Sequence, residues 1–406
     1  MNGPLAGSVF LPHFQWMDGD AFTVELCRDI AAVAPSEWDQ LAGSNNPFVC
    51  HAFLSALERG GATGGDTGWD VMHLLMRDAD GVLVGAMPHY IKHHSYGEYI
   101  FDHSWANGFT QAGGRYYPKL LSAIPFTPAT GPRFLTGDAD DKRRRQITDA
   151  LARALVQYTQ QFALSSAHIN FLPAEDTDDL AAAGWLIRSS MQFHWENRDY
   201  TDFADFLSNL SSRKRKNIRK ERQSVIDAGV TMLQLTGDAI ETHHMDSFFR
   251  FYMSTIDQKW GSAYLTKEVF DLLHQTMADR MLLVMAEYNG QIIGGALNFI
   301  GEDTLFGRNW GADIDIPNLH FEACYYQAID FAIERGLSRV EAGAQGFHKV
   351  QRGYMPTTIF SAHWIDHDGF RQAVARFLRA EADGIEAEKN HIEMAGPFSK
   401  APTTKS

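Results

Sequence analysis

The chain lacks the features of an exported, disulfide-bonded or membrane-spanning protein. Its 406 residues include three cysteines, Cys27, Cys50 and Cys324, which are widely spaced and odd in number. This spacing argues against a disulfide framework and is typical of a reducing compartment. No window reaches the ~18 uninterrupted apolar residues of a membrane-spanning helix. Residues 1–20 contain no basic leader with an apolar stretch, so no export signal is predicted and we expect a cytoplasmic protein.

Signatures of several common enzyme classes are also missing. The sequence contains no Walker loop, no Rossmann glycine fingerprint and no Gly-x-Ser-x-Gly elbow. These absences argue against a P-loop nucleotidase, a dinucleotide-dependent enzyme and an α/β-hydrolase. No cysteine pair has the spacing of a zinc knuckle. We therefore predict neither a metal site nor a tightly bound cofactor.

Positive charge is scarce overall but concentrated in one segment. The 50 acidic and 36 basic residues give a formal charge of −14, which argues against general binding to nucleic acid or anionic lipid. Residues 213–222 nevertheless contain seven arginines and lysines. Ser211 or Ser212 is a suitable N-cap, so the pattern predicts a basic helix over 211–222.

The basic helix has two interpretations. The first is a solvated surface helix, anchored by Ile218 and Val225. The second is a phosphate-binding helix, which we favour because crowding of like charges otherwise brings no structural gain. The phosphates would belong to coenzyme A or an RNA backbone. The predicted ligands of the donor phosphates are Arg213, Lys214, Arg215 and Arg219.

Two hairpin patterns indicate an internal duplication. Residues 74–86 and 283–295 each suggest a strand, a turn and a strand. Their turn glycines, Gly81 and Gly290, are 209 residues apart. A repeat of this length indicates duplicated domains rather than a solenoid.

The same succession of elements follows each hairpin. After the first hairpin, the predicted strand, helix, strand and strand span 96–105, 144–162, 168–172 and 187–195. After the second, they span 304–310, 319–335, 339–344 and 357–365, and Gly336 ends the helix. Each half is predicted as an α/β domain, with helices on the faces of a mixed sheet. The predicted boundaries are a flexible N-terminus 1–20, domains 21–197 and 198–394, and a flexible tail 395–406.

A strand of small residues that begins with Glu341 is the predicted catalytic segment. Period-two alternation places Glu341, Gly343 and Gln345 on one strand face. The residues between them are small, so another group approaches the backbone closely. A carboxylate beside polar groups suits a general base for an amine, and Gln345, Lys349 and Arg352 would position that acceptor. The alternative is that Glu341 pairs structurally with Lys349 or Arg352.

Two histidines are alternative bases. His320 lies at the start of a predicted helix, where the helix dipole disfavours the protonated imidazole. A buried hydrogen-bonding role is the alternative for this residue. His348 follows the small-residue strand and adds a second imidazole to the same region.

The first half contributes further candidates. Three prolines between Pro125 and Arg133 predict a loop or an edge, and Arg133 is a further candidate for the donor phosphates, although a stiff connector is equally compatible. Asp102, Trp105 and Trp310 are assigned to the substrate. The aromatic residues around them suggest a groove for a long acyl chain or a lipid-like amine.

Several blocks resemble FemAB-type proteins, tandem relatives of the GNAT N-acyltransferases. The block Phe206–Lys220 resembles their leucine-serine stretch followed by basic residues and Asn-Ile-Arg-Lys. Other blocks resemble the bacterial FemAB-like branch of predicted N-acyltransferases, often labelled peptidoglycan biosynthesis or recognition proteins. These other blocks are 96–105, 117–120, 125–133, 318–322 and 341–354. The resemblance extends from about Trp69 to Arg371.

This resemblance implies tandem GNAT-like domains and transfer of an acyl group to an amine. The donor would be a thioester, on coenzyme A or an acyl carrier protein, or an aminoacyl-tRNA. Neither half shows the Arg/Gln-x-x-Gly-x-Gly/Ala turn of simple relatives where it is expected, and no coiled-coil arm is evident. Because that arm usually accompanies tRNA handling, a thioester donor is favoured.

Three functions follow, in order of preference. The first is N-acylation of a primary amine, including a lipid-like amine such as a sphingoid base, with acyl-CoA as co-substrate and contact with a membrane surface. In it, Glu341 is the base and the backbone amides of 342–344 stabilise the oxyanion. The second is transfer of an amino acid from tRNA to a peptidoglycan precursor. The third is a non-catalytic module that binds a glycan or peptide. No DNA partner is predicted.

Overall fold

A computed structural model describes residues 14–18, 20–258, 263–344 and 346–399. Its strands are β1 Phe14–Asp18, β2 Asp20–Cys27, β3 Trp69–Val71, β4 His73–Arg77, β5 Leu83–Met87, β6 Tyr90–Lys92, β7 Lys119–Ser122, β8 Ser166–Leu172, β9 Leu186–Glu196, β10 Val230–Leu235, β11 Met281–Tyr288, β12 Gln291–Ile300, β13 Thr304–Ala312, β14 Arg339–Glu341 and β15 Met355–Ile365.

Its α-helices are α1 Pro35–Ala42, α2 His51–Arg59, α3 His103–Gln111, α4 Asp141–Gln161, α5 Thr177–Ala182, α6 Phe203–Ser208, α7 Ser212–Asp227, α8 Thr242–Gln258, α9 Lys267–Met277, α10 Leu319–Phe321, α11 Gln327–Glu334 and α12 Asp368–Met394. A π-helical turn, Glu322–Tyr326, joins α10 to α11, and a 3-10 segment, Phe347–Arg352, precedes β15. None of the helices in these described ranges is both long and apolar enough to cross a membrane.

The strands form two sheets. The smaller sheet has the order β1-β2-β4-β5, and the larger has the order β10-β11-β12-β13-β14-β9-β15-β8-β7-β6-β3. Most neighbours are antiparallel, but β7 with β8 and β13 with β14 are parallel pairs. Parallel neighbours require a crossover, which α4 supplies in the first half and α11 in the second. The mixed sheets and the repeated strand–helix–strand unit agree with the predicted fold class.

The two halves of the chain exchange their last strands. β9, which ends the first half, lies between β14 and β15, and β15 lies between β9 and β8. The halves predicted to divide at residue 197 are therefore neighbours in one continuous sheet. Separating them would require breaking the hydrogen bonds between these strands.

The two predicted hairpins are present. β4 and β5 pair around a turn with Gly81 at φ 79°, and β11 and β12 pair around Asn289 and Gly290 at φ 53° and 74°. Positive φ at both central residues of the second turn is the geometry that Asn-Gly favours. Each hairpin also contains a register shift just before its turn, after Met76 and after Ala286.

Two predicted strands differ in the structure. The strand expected over 96–105 is wrong, because this segment is a loop that leads into α3. Tyr99 has φ 60°, which interrupts an extended path, and Glu98 and Asp102 turn inward to bond Lys119. The strand expected over 339–344 ends at Glu341, since Gly343 adopts φ 75°.

The large sheet has a different core on each face at the position of β14. Val340 packs in a cluster with Leu305, Trp195 and Tyr326, on the face covered by α6, α7 and α11. Phe306 packs in another cluster with Phe48 and Phe299. Because successive strand residues point to opposite faces, Glu341 lies on the face opposite to Val340.

Candidate functional site

Glu341 faces a cleft of about 660 Å³ on the side of the sheet away from Val340. It is the last residue of β14 and is paired in register with Phe306 of β13 and His194 of β9. Only 6% of Glu341 is exposed, and its Oε2 lies 3.9 Å from His194 Nε2. The carboxylate is thus held by two neighbouring strands and still lines an open cleft.

A loop from the first half forms one wall of this cleft. Thr130, Gly131 and Pro132 line it, and Asn46 Nδ2 donates to the Thr130 carbonyl at 3.0 Å. From β9, Gln192 Nε2 donates to the Pro128 carbonyl at 2.8 Å. The predicted proline-rich loop is therefore a fixed wall, anchored by side chains from both ends of the first half.

Burial raises the pKa of Glu341 to about 7, although Arg339 and the Thr130 backbone oppose the shift. Burial also lowers the pKa of His194 to about 3, so its imidazole is neutral near pH 7. A neutral imidazole at 3.9 Å forms no ion pair with the carboxylate. Arg339 is directed to Asp303, with its Nη2 3.3 Å from Oδ2. No cation therefore neutralises Glu341 by direct contact among the described side chains.

Four buried polar atoms without a partner belong to residues that line this cleft. Such atoms are rare in folded proteins, and a cluster of them around one cavity suggests that a ligand completes their hydrogen bonds. Those that belong to residues lining the cleft are Thr130 Oγ1, His194 Nδ1, Arg339 Nε and Glu341 Oε2.

The sheet opens immediately beyond Glu341. β13 pairs with β14 only from Thr304 to Phe306, and then continues to Ala312 while β14 ends. The edge of β13 beyond Phe306 consequently has no partner strand on that side within the described residues. Unpaired strand amides of this kind can donate hydrogen bonds to a ligand.

The two candidate histidines meet on the other face of this opening. The ring of His320 is 5.5 Å from Trp310 and 6.1 Å from His348, and the hydroxyl of Tyr325 is 3.0 Å from His348 Nε2. Burial lowers the pKa of His348. Trp310 and His320 also line a second cleft of about 540 Å³, whose carboxylates Asp313 and Asp315 disfavour a bound phosphate.

Lys349 and Arg352 are buried beneath the candidate site. Lys349 Nζ donates to the carbonyls of Ala342 and Gly343, and Arg352 donates to Glu221 and to the hydroxyl of Tyr326. Each residue is only 5% exposed. Their donors maintain the fold of this segment, so the structure revises the prediction that they position an acceptor. Gln345 lies outside the described residues.

The basic helix is present as α7, Ser212–Asp227, and packs on the opposite face of the sheet from the Glu341 carboxylate. Its Ile218 belongs to the cluster of Val340. The helix residues that are exposed include Arg213, Lys216, Arg219 and Lys220, whereas Lys214 and Arg215 are half-buried. Arg222 is directed inward to Glu322 and Asp330. The predicted phosphate ligands and Glu341 therefore do not share a cavity.

Arg133 differs most from its predicted role. Its side chain is fully buried, Nη1 donates to the Gly131 and Pro132 carbonyls, and Nη2 donates to the Ala129 carbonyl. Donors used in this way are not accessible to a donor phosphate. The structure instead places Arg133 behind the cleft wall, where it holds the loop that contains Thr130.

Asp102 and Trp105 also lie away from the Glu341 cleft. Asp102 is 2% exposed and accepts hydrogen bonds from Lys119, Ser95 and Tyr116, so the structure argues against a contact with substrate. Trp105 is 5% exposed and lines an apolar groove between α3 and α12. The sequence interpretation missed Gln192 and His194, although they alternate with Phe193 and Trp195 on the predicted strand 187–195. That alternation was the available signal for a polar face.

Within the described ranges, no three histidine, cysteine or acidic side chains come together as metal ligands. The residues that line the main cleft include four with carboxylates, Glu175, Glu302, Asp303 and Glu341, together with the neutral imidazole of His194, several hydroxyls and Arg339. Among these carboxylates, Glu341 is the buried one, and its Oε2 has no partner. In such a set the carboxylate can accept a proton from an ammonium group, and the other polar groups can form hydrogen bonds with the rest of the substrate.

The fold is similar to several solved structures. FemX is 11% identical, with a TM-score of 0.52 over 84% of this chain and 98% of that chain. The C-terminal domain of a putative lysylphosphatidylglycerol synthetase from Agrobacterium fabrum is 10% identical, with a TM-score of 0.52 over 84% and 95% of the two chains. A conserved protein of unknown function from Bacteroides thetaiotaomicron is 12% identical, with a TM-score of 0.51 over 83% and 98%. At these identities the likeness shows the fold alone, and it confirms the predicted fold class.

Comparison with curated proteins gives no match. A family model for FemAB-like proteins, described as peptidoglycan biosynthesis/recognition, matches residues 29–400. This range extends beyond both ends of the resemblance seen in the sequence blocks. The chain belongs to the FemAB-like family.

Proposed function

We propose that this protein is an N-acyltransferase that moves an acyl group from a thioester donor to a primary amine, with Glu341 as the general base. The observation that carries the proposal is a buried carboxylate whose pKa is raised to about 7, with one unpaired oxygen, in an open cleft. A base with this pKa can take a proton from an ammonium group near neutral pH. The fold and the FemAB-like family membership support a transferase.

The proposed reaction begins when Glu341 accepts a proton from the ammonium group. The neutral amine attacks the thioester carbonyl, and the C–N bond forms as the C–S bond breaks. The leaving thiolate takes the second proton from the nitrogen, which yields an amide and a thiol. Two side chains keep the surroundings of the carboxylate polar. His194 Nε2 lies 3.9 Å from Glu341 Oε2, and Gln192 Oε1 lies 3.3 Å from the same imidazole nitrogen.

The developing oxyanion needs hydrogen-bond donors near the carboxylate. The predicted donor at Ala342 is already used, because its N–H donates to the Phe193 carbonyl at 3.2 Å. The free edge of β13 beyond Phe306 is a better source, since it begins beside Glu341 and has no strand partner there among the described residues. We assign the oxyanion site to this edge.

The donor would approach from the face of α7. The exposed cations Arg213 and Arg219 suit the phosphates of coenzyme A or an acyl carrier protein. The carbonyl would then enter the opening between β13 and β14, while the amine occupies the Glu341 cleft. In this arrangement the cations and the carboxylate act from opposite faces of one sheet.

A second candidate is transfer of an amino acid from tRNA. The exposed cations of α7 and the family description favour it, because RNA binding requires a positive surface and the description concerns peptidoglycan. In that case the ester of the charged tRNA replaces the thioester, and Glu341 keeps its role.

The test is a thiol-release assay with a panel of acyl-CoA donors and primary amines. We expect release by the wild type and a 10²- to 10⁴-fold lower rate for Glu341→Gln. Glu37→Gln, at an exposed acid on α1 outside the cleft, is the matched control and should stay near the wild-type rate. Retention of charged tRNA without thiol release would replace the first candidate by the second. Equal rates for Glu341→Gln and the wild type would refute the role of Glu341 in both.

A further inference from the structure

Exposed aromatic rings lie beside α3 and α12. Tyr96 and Phe101 are 61% and 58% exposed, and each has its ring within 6.2 Å of His103 on α3. Two residues along the same helix, Trp105 lies 6.3 Å from Phe377 of α12, which is 43% exposed. Trp105 itself is buried, so we refer to the exposed residues Tyr96, Phe101, His103 and Phe377 as the aromatic surface.

An apolar groove continues this surface between the two helices. It encloses about 600 Å³ and is lined by small residues of α3 and by the rings of Phe109 and Phe370, which stack at 4.4 Å. None of its lining residues is acidic. Its walls are mainly apolar, with Ser104 and His367 as polar members, and a groove of this size accommodates part of an acyl chain.

The charge near the groove differs from that of the whole chain. The chain carries −14 overall, yet it has no acidic residue between Asp102 and Asp138. Arg115 and Arg376 are exposed next to groove-lining residues. At the far end, Asp368 lies 3.4 Å from Arg371 and Asp366 is exposed. Rings flanked by arginines are typical of a surface that binds an anionic bilayer.

A buried cluster connects the loop that carries Phe101 to the wall of the Glu341 cleft. Ile100, the neighbour of Phe101, packs against Phe171 and Ile359, and Ile359 lines that cleft. Arg188 fixes the same loop, because it donates to the Phe101 carbonyl at 2.9 Å and to Glu381 of α12 at 2.7 Å. A bilayer seated on the aromatic surface would therefore contact a loop that packs against the wall of the cleft.

We propose that the aromatic surface and the groove dock this protein on an anionic phospholipid bilayer. Phe101 and Phe377 enter the interface, an acyl chain occupies the groove, and Arg115 and Arg376 contact the head groups. This docking does not depend on the acyl-transfer reaction. It would bring a membrane-resident amine to the Glu341 cleft if the proposed function is correct.

The test is cosedimentation with vesicles of phosphatidylcholine alone or of equal parts phosphatidylcholine and phosphatidylglycerol. We expect binding to the anionic vesicles and roughly tenfold weaker binding after Phe101→Ser with Phe377→Ser, since both rings leave the interface. The matched control is Ile226→Ser, which removes an apolar side chain that is 62% exposed on α7. It should bind like the wild type.

A second pair of substitutions tests the head-group contacts without changing the aromatic rings. Arg115→Glu with Arg376→Glu should weaken anionic binding by about fivefold or more for each residue and should reduce its salt dependence. Glu341→Gln should bind vesicles normally, which separates docking from catalysis. The proposal is overturned if the wild type does not bind anionic vesicles, if the ring variants bind as it does, or if light scattering shows that the surface joins two copies of the chain.

Discussion

Asp102 in the first half and Glu341 in the second are both buried carboxylates, but their surroundings differ. Asp102 accepts hydrogen bonds from Lys119, Ser95 and Tyr116. Burial alone would raise its pKa, but Lys119 and these hydrogen bonds lower the pKa below its usual range. Glu341 faces a neutral imidazole, and burial raises its pKa to about 7. Burial by itself therefore does not distinguish a structural acid from a reactive one.

What distinguishes them is the partner of each oxygen. Both oxygens of Asp102 are hydrogen-bonded, whereas Oε2 of Glu341 lacks a partner and Glu341 lines a cleft. Glu98 is intermediate, because burial raises its pKa to about 7 but its Oε2 still accepts from Lys119 at 2.8 Å. A free oxygen together with an open cleft identifies the candidate base.

The largest expected effect is on the buried ion pairs that Lys119 forms with Asp102 and Glu98. Lys119→Met should lower the free energy of unfolding by about 3–5 kcal/mol, because it leaves Asp102 and Glu98 buried without their cation. Chemical denaturation measures this loss. Glu341→Gln is the matched substitution in the open site and should not destabilise the fold. A loss below about 1 kcal/mol for Lys119→Met would show that the Lys119 ion pairs contribute little to the stability of the fold.

The pH dependence of stability should sharpen the contrast. The folded-state pKa of Glu341 is about 7, above its ordinary value of 4.5, so the folded chain holds this proton more tightly than the unfolded chain. Stability attributable to this group is present below pH 4.5 and is lost as pH rises through about 7. Glu341→Gln should remove up to about 3 kcal/mol of that loss. Parallel stability curves for the wild type and the variant from pH 5 to pH 8 would contradict this contrast.

Arg133 connects the first half to the open site. Arg133→Met removes the donors to three loop carbonyls and should lower the free energy of unfolding by about 2 kcal/mol. It should also lower the transfer rate, because the loop positions the Thr130 backbone next to the Glu341 carboxylate. Arg28→Met, at an exposed arginine, should change neither quantity. If the rate falls with no loss of stability, Arg133 would act on substrate rather than on the loop.

The smallest expected effect concerns the exposed cations, which contrast with buried Lys119. Arg213→Gln with Arg219→Gln should raise the donor KM by about two- to fivefold, with stability unchanged, since exposed charges are screened by solvent. Lys142→Gln, at an exposed lysine on α4, is the control. An unchanged KM would mean that α7 is only a solvated helix.

Local patterns predicted most elements. The hairpins, α4, α7, β13 and β15 follow from turn glycines, N-caps and periodicity, which act within a few residues. The strand predicted over 96–105 failed because Glu98 and Asp102 bond Lys119, which is a contact between distant residues. The exchange of β9 and β15 likewise depends on long-range pairing that no local pattern encodes.

The site was predictable in part. Glu341 followed from a carboxylate on a strand of small residues, and the structure places it in a cleft. The wall around Thr130, the orientation of Arg133 and the position of α7 across the sheet depend on how the two halves interlock. Sequence gives the charge of Arg133 but not that its donors are used by carbonyls of its own loop.

The most direct test of the central claim is the pH dependence of single-turnover acyl transfer, measured for the wild type and for Glu341→Gln. The account predicts that the wild-type rate rises with pH through an inflection near 7, where the Glu341 carboxyl ionises. It also predicts that Glu341→Gln is slow and lacks this inflection. A variant that retains both the rate and the inflection would show that another group accepts the proton, and the proposed role of Glu341 would be wrong.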